Sequence, residues 1–176
     1  MTSAHTALVL IDLQQWIVDM PWQPAGGREV VDSCARLRDR FERAGSPVVL
    51  VRYLRADGAD GGAQAPANLL VPGIAPRDGD LLVTKNGLDA FEGTDLDERL
   101  RARQVTGIVL AGLSTAHGVA ATAAAAVASG YEVTVVTDAT ASVSEAEHDA
   151  ALHGLAGLGA RTCRAQDVLP EGVTGS

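Results

Sequence analysis

A chain of 176 residues that is 47% hydrophobic but only 3% aromatic must fill its core with Val, Leu, Ile and Ala, and the length fits one domain. Its formal net charge of −8, with acids spread along the chain, argues against nucleic acid or an anionic membrane surface as partner. The longest apolar run, Ile108 to Leu113, is far shorter than the roughly 20 residues that span a bilayer, and no basic leader precedes the apolar stretch at Ala7, so a cytoplasmic protein is expected.

The first apolar, β-rich run is Ala7 to Asp12. Arg28 to Ala44 follows, with Val31, Cys34, Leu37 and Phe41 at helical spacing and Gly45 as the stop. Further strands are predicted over Pro47 to Tyr53, Leu81 to Lys85, Gly107 to Leu113 and Glu132 to Asp138, with a short edge strand over Arg161 to Arg164. Helices are predicted over Thr94 to Arg103, over the Ala-rich His117 to Ser129, and over Ser144 to Leu158. Continuous apolar runs imply strands covered on both faces, and strands alternating with helices imply parallel pairing by right-handed crossovers. The expected fold is a three-layer α/β/α doubly wound domain with a mainly parallel six-stranded sheet, spanning residues 1–176. Residues 54–80, rich in Gly, Ala, Pro and Asp, read as a lid or binding loop.

In open parallel sheets, ligands bind beyond the carboxyl ends of the strands. Three polar features fall there: Asp12 after the first strand, Lys85 at the end of the third, and the turn Gly112-Leu113-Ser114-Thr115-Ala116-His117-Gly118 after the fourth. A carboxylate and an ammonium facing one crevice can form a coupled pair poised for proton transfer. A tight strand-to-helix turn presents N–H groups that can stabilise a developing oxyanion. Each has a plainer reading as well: Asp12 as a cap, Lys85 as a solvated charge, Ser114-Thr115 as an N-cap. Cys34 and Cys163 lie far apart without metal-ligand spacing and read as reduced, buried thiols.

Together these pieces resemble the isochorismatase-like (cysteine hydrolase) family from Ala7 to Leu169. The resemblance rests on Leu10-Ile11-Asp12-Leu13-Gln14, on Thr84-Lys85 followed by Asp89-Ala90-Phe91-Glu92-Gly93-Thr94-Asp95-Leu96, and on Gly112-Leu113-Ser114-Thr115 leading into Gly118-Val119-Ala120-Ala121-Thr122-Ala123. Gly130-Tyr131 and Val136-Thr137-Asp138-Ala139 complete it. It implies that Asp12 transfers protons and that Lys85 orients and stabilises charge. It also implies a cis peptide at Leu113–Ser114, which would aim the N–H groups of His117 and Gly118 into the crevice, and an assembly of two or more copies.

The family's amidohydrolases carry a cysteine nucleophile where this chain has Gly118, and no acyl-enzyme can form on glycine. Relatives that bind metal use acids and histidines after the second strand; residues 54–80 contain no histidine, so no metal and no cofactor is expected. Ser114 and Thr115 have no general base evident beside them. His117 reads equally as a substrate contact or a surface residue; Gln14 and Trp16 are candidate pocket residues, Trp16 also a candidate core residue.

The leading reading is a hydrolase acting on a small carboxylated metabolite by acid catalysis at Asp12, of the enol-ether type that true isochorismatases perform without a thiolate. The alternatives are a different hydrolase or lyase reaction of a specialised pathway using the same pair, and a non-catalytic member that binds a ligand or partner.

Overall fold

The computed structural model describes residues 5–168. They form a six-stranded sheet in the order β3-β2-β1-β4-β5-β6, with every pairing parallel. The strands are β1 (Thr6–Ile11), β2 (Val48–Tyr53), β3 (Leu81–Lys85), β4 (Gly107–Leu113), β5 (Glu132–Ala141) and β6 (Arg161–Cys163). The helices are α1 (Gln15–Val18), α2 (Gly27–Arg43), α3 (Leu96–Ala102), α4 (Ala120–Ala128) and α5 (Glu145–Gly157).

The unbroken apolar runs are explained by burial on both faces. In β1, Ala7, Val9 and Ile11 join the core under α3, α4 and α5, while Leu8 and Leu10 join the core under α1 and α2. Each such side chain contributes roughly 1.5–3 kcal/mol by leaving water. Helix α2 seals its face with Val30, Cys34, Leu37 and Phe41. Gly27 lets its first turn sit against α1, since a Cβ there would lie 2.0 Å from the Val18 carbonyl oxygen.

Three expectations are corrected locally. The strand expected to stop at Asp138 continues to Ala141, because a register shift opposite Leu110 to Gly112 carries it through its polar stretch. A one-turn helix, α1, follows Gln14 where none was expected. The helix expected from His117 starts as a π-helical turn, Thr115–Val119, before α4.

Residues 54–80 are docked rather than free of structure. The Asn68 side chain donates to the Asp60 and Gly62 carbonyls at 3.1 and 2.9 Å. Backbone bonds join Gln15 to Leu69 and Val71 to Leu13, each at 2.9 Å, and Ile74 enters the core. Fully buried Arg38 reaches the Ala75 carbonyl at 2.8 Å and pairs with Asp80, so the segment's end is tied to α2. No helix among the described residues is long and apolar enough to cross a membrane.

Candidate active site

The strand order places β2 between β1 and β3, so the carboxyl ends of β1 and β3 lie on either side of Tyr53. Asp12 leaves β1 with φ of 54°, a left-handed conformation that Asp tolerates better than most residues. Such an outlier persists only where surrounding structure fixes it; here the Asp12 N–H donates to the Val51 carbonyl at 2.9 Å. Lys85, the last residue of β3, is 2% exposed and Asp12 is 7% exposed. Lys85 Nζ lies 2.9 Å from Asp12 Oδ2. It also donates to the Gly87 carbonyl at 3.0 Å and sits 5.4 Å from the centre of the Tyr53 ring.

The other carboxylate oxygen, Asp12 Oδ1, is buried and has no hydrogen-bond partner; among the described residues no other buried side-chain polar atom is so placed. Burial pushes the Asp12 carboxyl up to about 6, and the Lys85 charge and hydrogen bond only partly offset it. A carboxyl poised there can hold or release a proton near neutral pH.

Gly118 completes the arrangement. A Cβ built on it would lie 3.5 Å from both Asp12 Oδ2 and Lys85 Nζ, and 3.1 Å from Ile11 Cγ2. Residue 118 therefore faces the pair directly, with only hydrogen where a side chain would stand. The preceding Leu113–Ser114 peptide is cis. Gly112 precedes it with φ of +116°, where a Cβ would fall 2.3 Å from the Ile11 carbonyl oxygen, so glycine is required for β4 to pass β1.

A family model, the isochorismatase domain, matches residues 6–167. The chain belongs to the isochorismatase family. It is 40% identical over 161 residues to the uncharacterized isochorismatase family protein YwoC of Bacillus subtilis, covering 84% of this chain and 83% of YwoC. The structure of an isochorismatase family protein from Burkholderia thailandensis is 36% identical, with a TM-score of 0.84 over 94% of each chain. That of an isochorismatase from Pseudomonas putida is 26% identical, with a TM-score of 0.85 over 96% of this chain and 92% of the other.

Within this isochorismatase-family site, the structure brings Asp12, Lys85 and Gly118 together and sends other candidates elsewhere. Gln14 is fully buried: its Oε1 accepts the Tyr53 N–H at 2.7 Å, and its Nε2 donates to the Tyr53 and Asn68 carbonyls at 2.9 and 3.0 Å. Its amide is spent joining β1, β2 and the loop. Trp16 is 42% exposed on α1 and so is not a core residue. His117 is exposed; its Nδ1 meets Ser114 Oγ at 2.9 Å, and its N–H donates to the Ser114 carbonyl at 3.2 Å rather than standing free. Leu113 is buried in the core under α1 and α2.

Thr115 carries a correction. A histidine does stand beside it: His148 of α5 places Nδ1 2.7 Å from Thr115 Oγ1. Thr115 is fully buried, which keeps it from acting as a nucleophile on a bound substrate. Sequence reasoning missed His148, Tyr53 and Gly87. Tyr53 was findable, since it ends the strand between those of Asp12 and Lys85; His148 gave no local signal.

Cys34 is fully buried under α2, where its thiol reaches the Ala139 carbonyl at 3.8 Å, and burial pushes that thiol well above its usual range. Cys163 packs against the same core and is likewise raised, first by burial. Gly118 leads into α4, which packs on the opposite face of the sheet. Among the described residues, no three His, Cys, Asp or Glu side chains gather where they could hold a metal ion.

Proposed function

We propose that this protein is a cysteine-independent hydrolase that cleaves an enol ether in a small carboxylated metabolite, with Asp12 as general acid and Lys85 as charge clamp. The observation that carries this reading is the buried Asp12 carboxyl, whose Oδ1 has no partner and whose Oδ2 faces, with Lys85 Nζ, a glycine at the nucleophile position. A carboxyl with a raised pKa and a free oxygen can donate a proton to carbon, and Gly118 leaves space for a substrate against it.

The reaction balances without a covalent intermediate. Protonated Asp12 delivers its proton to the terminal vinyl carbon, and the enol-ether double bond becomes an oxocarbenium ion. Water adds to that cation and loses a proton, which restores Asp12. The resulting hemiketal expels the alcohol and leaves a 2-oxo acid, pyruvate when the ether is an enolpyruvyl group. Lys85 holds Asp12 in place and offsets the negative charge left as the proton departs.

The Pseudomonas putida structure bears the name isochorismatase, which supports choosing isochorismate as the first substrate to test. Pyruvate release, followed by coupled NADH oxidation with lactate dehydrogenase, is the measurement. Stoichiometric release supports the assignment. Binding of isochorismate with no release would transfer it to the non-catalytic reading. The proposal extends to a single domain working in the cytoplasm as a homo-oligomer, with residues 54–80 forming one wall of the substrate site.

A further inference from the structure

We propose that His148 is a positioning residue for the active site, acting through Thr115 to fix the turn that carries Gly118. The inference rests on Asp12, Lys85 and Gly118 being the site, but not on any particular substrate.

Thr115 opens the π-helical turn Thr115–Val119, and Gly118 is its fourth residue. A π turn is rare and poorly self-supporting, so it needs partners outside itself. Two side chains supply them. Ser142 Oγ accepts the Ala116 N–H at 3.2 Å, and the Ser142 backbone is paired with Gln23 in both directions at 2.7 and 2.8 Å. The second is His148, 3% exposed, whose Nδ1 lies 2.7 Å from Thr115 Oγ1.

His148 is itself held: its backbone N–H donates to the Ser144 carbonyl at 3.0 Å in the first turn of α5. The contact pairs one hydroxyl with one ring nitrogen, so losing either side chain leaves the other buried group unsatisfied. Burial outweighs the attractions of Asp149 and Glu145, keeps the ring below its ordinary pKa and favours the neutral form. Three residues further along, Gly118 faces Asp12 and Lys85, where a Cβ would lie 3.5 Å from Asp12 Oδ2 and Lys85 Nζ. A shift of a few tenths of an ångström at Thr115 would reach that contact with little in between to absorb it.

The test uses a thiol at position 118 as a reporter that needs no substrate. In a Gly118→Cys background, iodoacetamide alkylation at residue 118 is followed by peptide mass spectrometry across pH, with thermal melts alongside. His148→Leu and Thr115→Val are each expected to slow alkylation about ten-fold and to move the pH at which the thiol ionises, the effect of leaving one buried partner unsatisfied. His148→Asn places an amide oxygen near the Nδ1 position, and Thr115→Ser keeps the hydroxyl; both are expected to restore the rate to within about three-fold. The double variant His148→Leu/Thr115→Val is expected to be no worse than either alone, because both break one interaction. Unchanged alkylation in a folded His148→Leu or Thr115→Val chain would overturn the proposal. So would effects of the two that simply add, or losses that follow the melting temperature with no rescue by Thr115→Ser. None of these outcomes depends on whether isochorismate is hydrolysed.

Discussion

Lys85 Nζ touches Asp12 Oδ2 at 2.9 Å but leaves Asp12 Oδ1 unpartnered, so one oxygen of the carboxylate serves a buried ion pair while the other is buried with no hydrogen bond. Asp12→Asn removes the transferable proton while keeping an oxygen for Lys85. Turnover is expected to fall at least about a hundred-fold, as when a general acid is lost, with the circular dichroism spectrum unchanged. Retention of more than about a tenth of the wild-type rate of pyruvate release would exclude Asp12 as the acid.

The pH profile separates acid from base. Burial raises the Asp12 carboxyl to about 6. If the protonated form is the active one, kcat/KM is flat below that value and falls as pH rises through it. A profile that climbs through the same region would make ionised Asp12 a base instead. The stability sign follows from the same shift: the folded pKa exceeds the ordinary carboxyl value of 3.8, so the folded state binds the proton more tightly. That contribution is fully present below 3.8 and is lost as pH rises through about 6. Denaturation midpoints across this window should show the loss in the wild type and not in Asp12→Asn.

Assembly is testable by light scattering. Large apolar side chains at Trp16, Met20, Leu69, Leu88, Val143 and Leu158 are exposed on the single chain, and covering them would favour association. At micromolar concentration the expected particle is a dimer or larger; one of 18.1 kDa would rule this out.

The parts of the fold that sequence revealed are those whose burial leaves a continuous signature. β3 and β4 have the expected bounds because every solvent-free position in them is apolar or is Lys85 itself. The Asp12 and Lys85 positions were legible for the same reason: a charge that ends an apolar strand stands out. The β5 extension was hidden because a register shift, not composition, carries it past Asp138. The π turn was hidden because its residues share the spacing of an ordinary helix start. Gln14 looked ligand-facing from its place beside Asp12, yet its bonds go to Tyr53 and Asn68, which only the folded chain brings near. The Thr115–His148 contact joins residues 33 positions apart and leaves no local pattern at either.

Position 118 offers the sharpest test of what the site has kept. Wild-type turnover is expected to survive iodoacetamide, because Cys34 is buried under α2 and both cysteine thiols are raised by burial rather than activated. Gly118→Cys should behave oppositely. The backbone at Gly118 is not in the left-handed region, so an L side chain meets no φ penalty there. Its new Cβ would press on Ile11 Cγ2 at 3.1 Å, so this buried, β-branched side chain must shift slightly, at a cost of about 1 kcal/mol. The thiol would stand beside the Lys85 ammonium, which favours thiolate, and beside Asp12, which can take its proton. The expected outcome is rapid, stoichiometric alkylation at residue 118 near neutral pH and new hydrolysis of activated esters such as p-nitrophenyl acetate. Adding Asp12→Asn should slow both, since the proton acceptor is gone. A Gly118→Cys chain that folds but reacts no faster than Cys163 would show that Asp12 and Lys85 do not activate a group at this position.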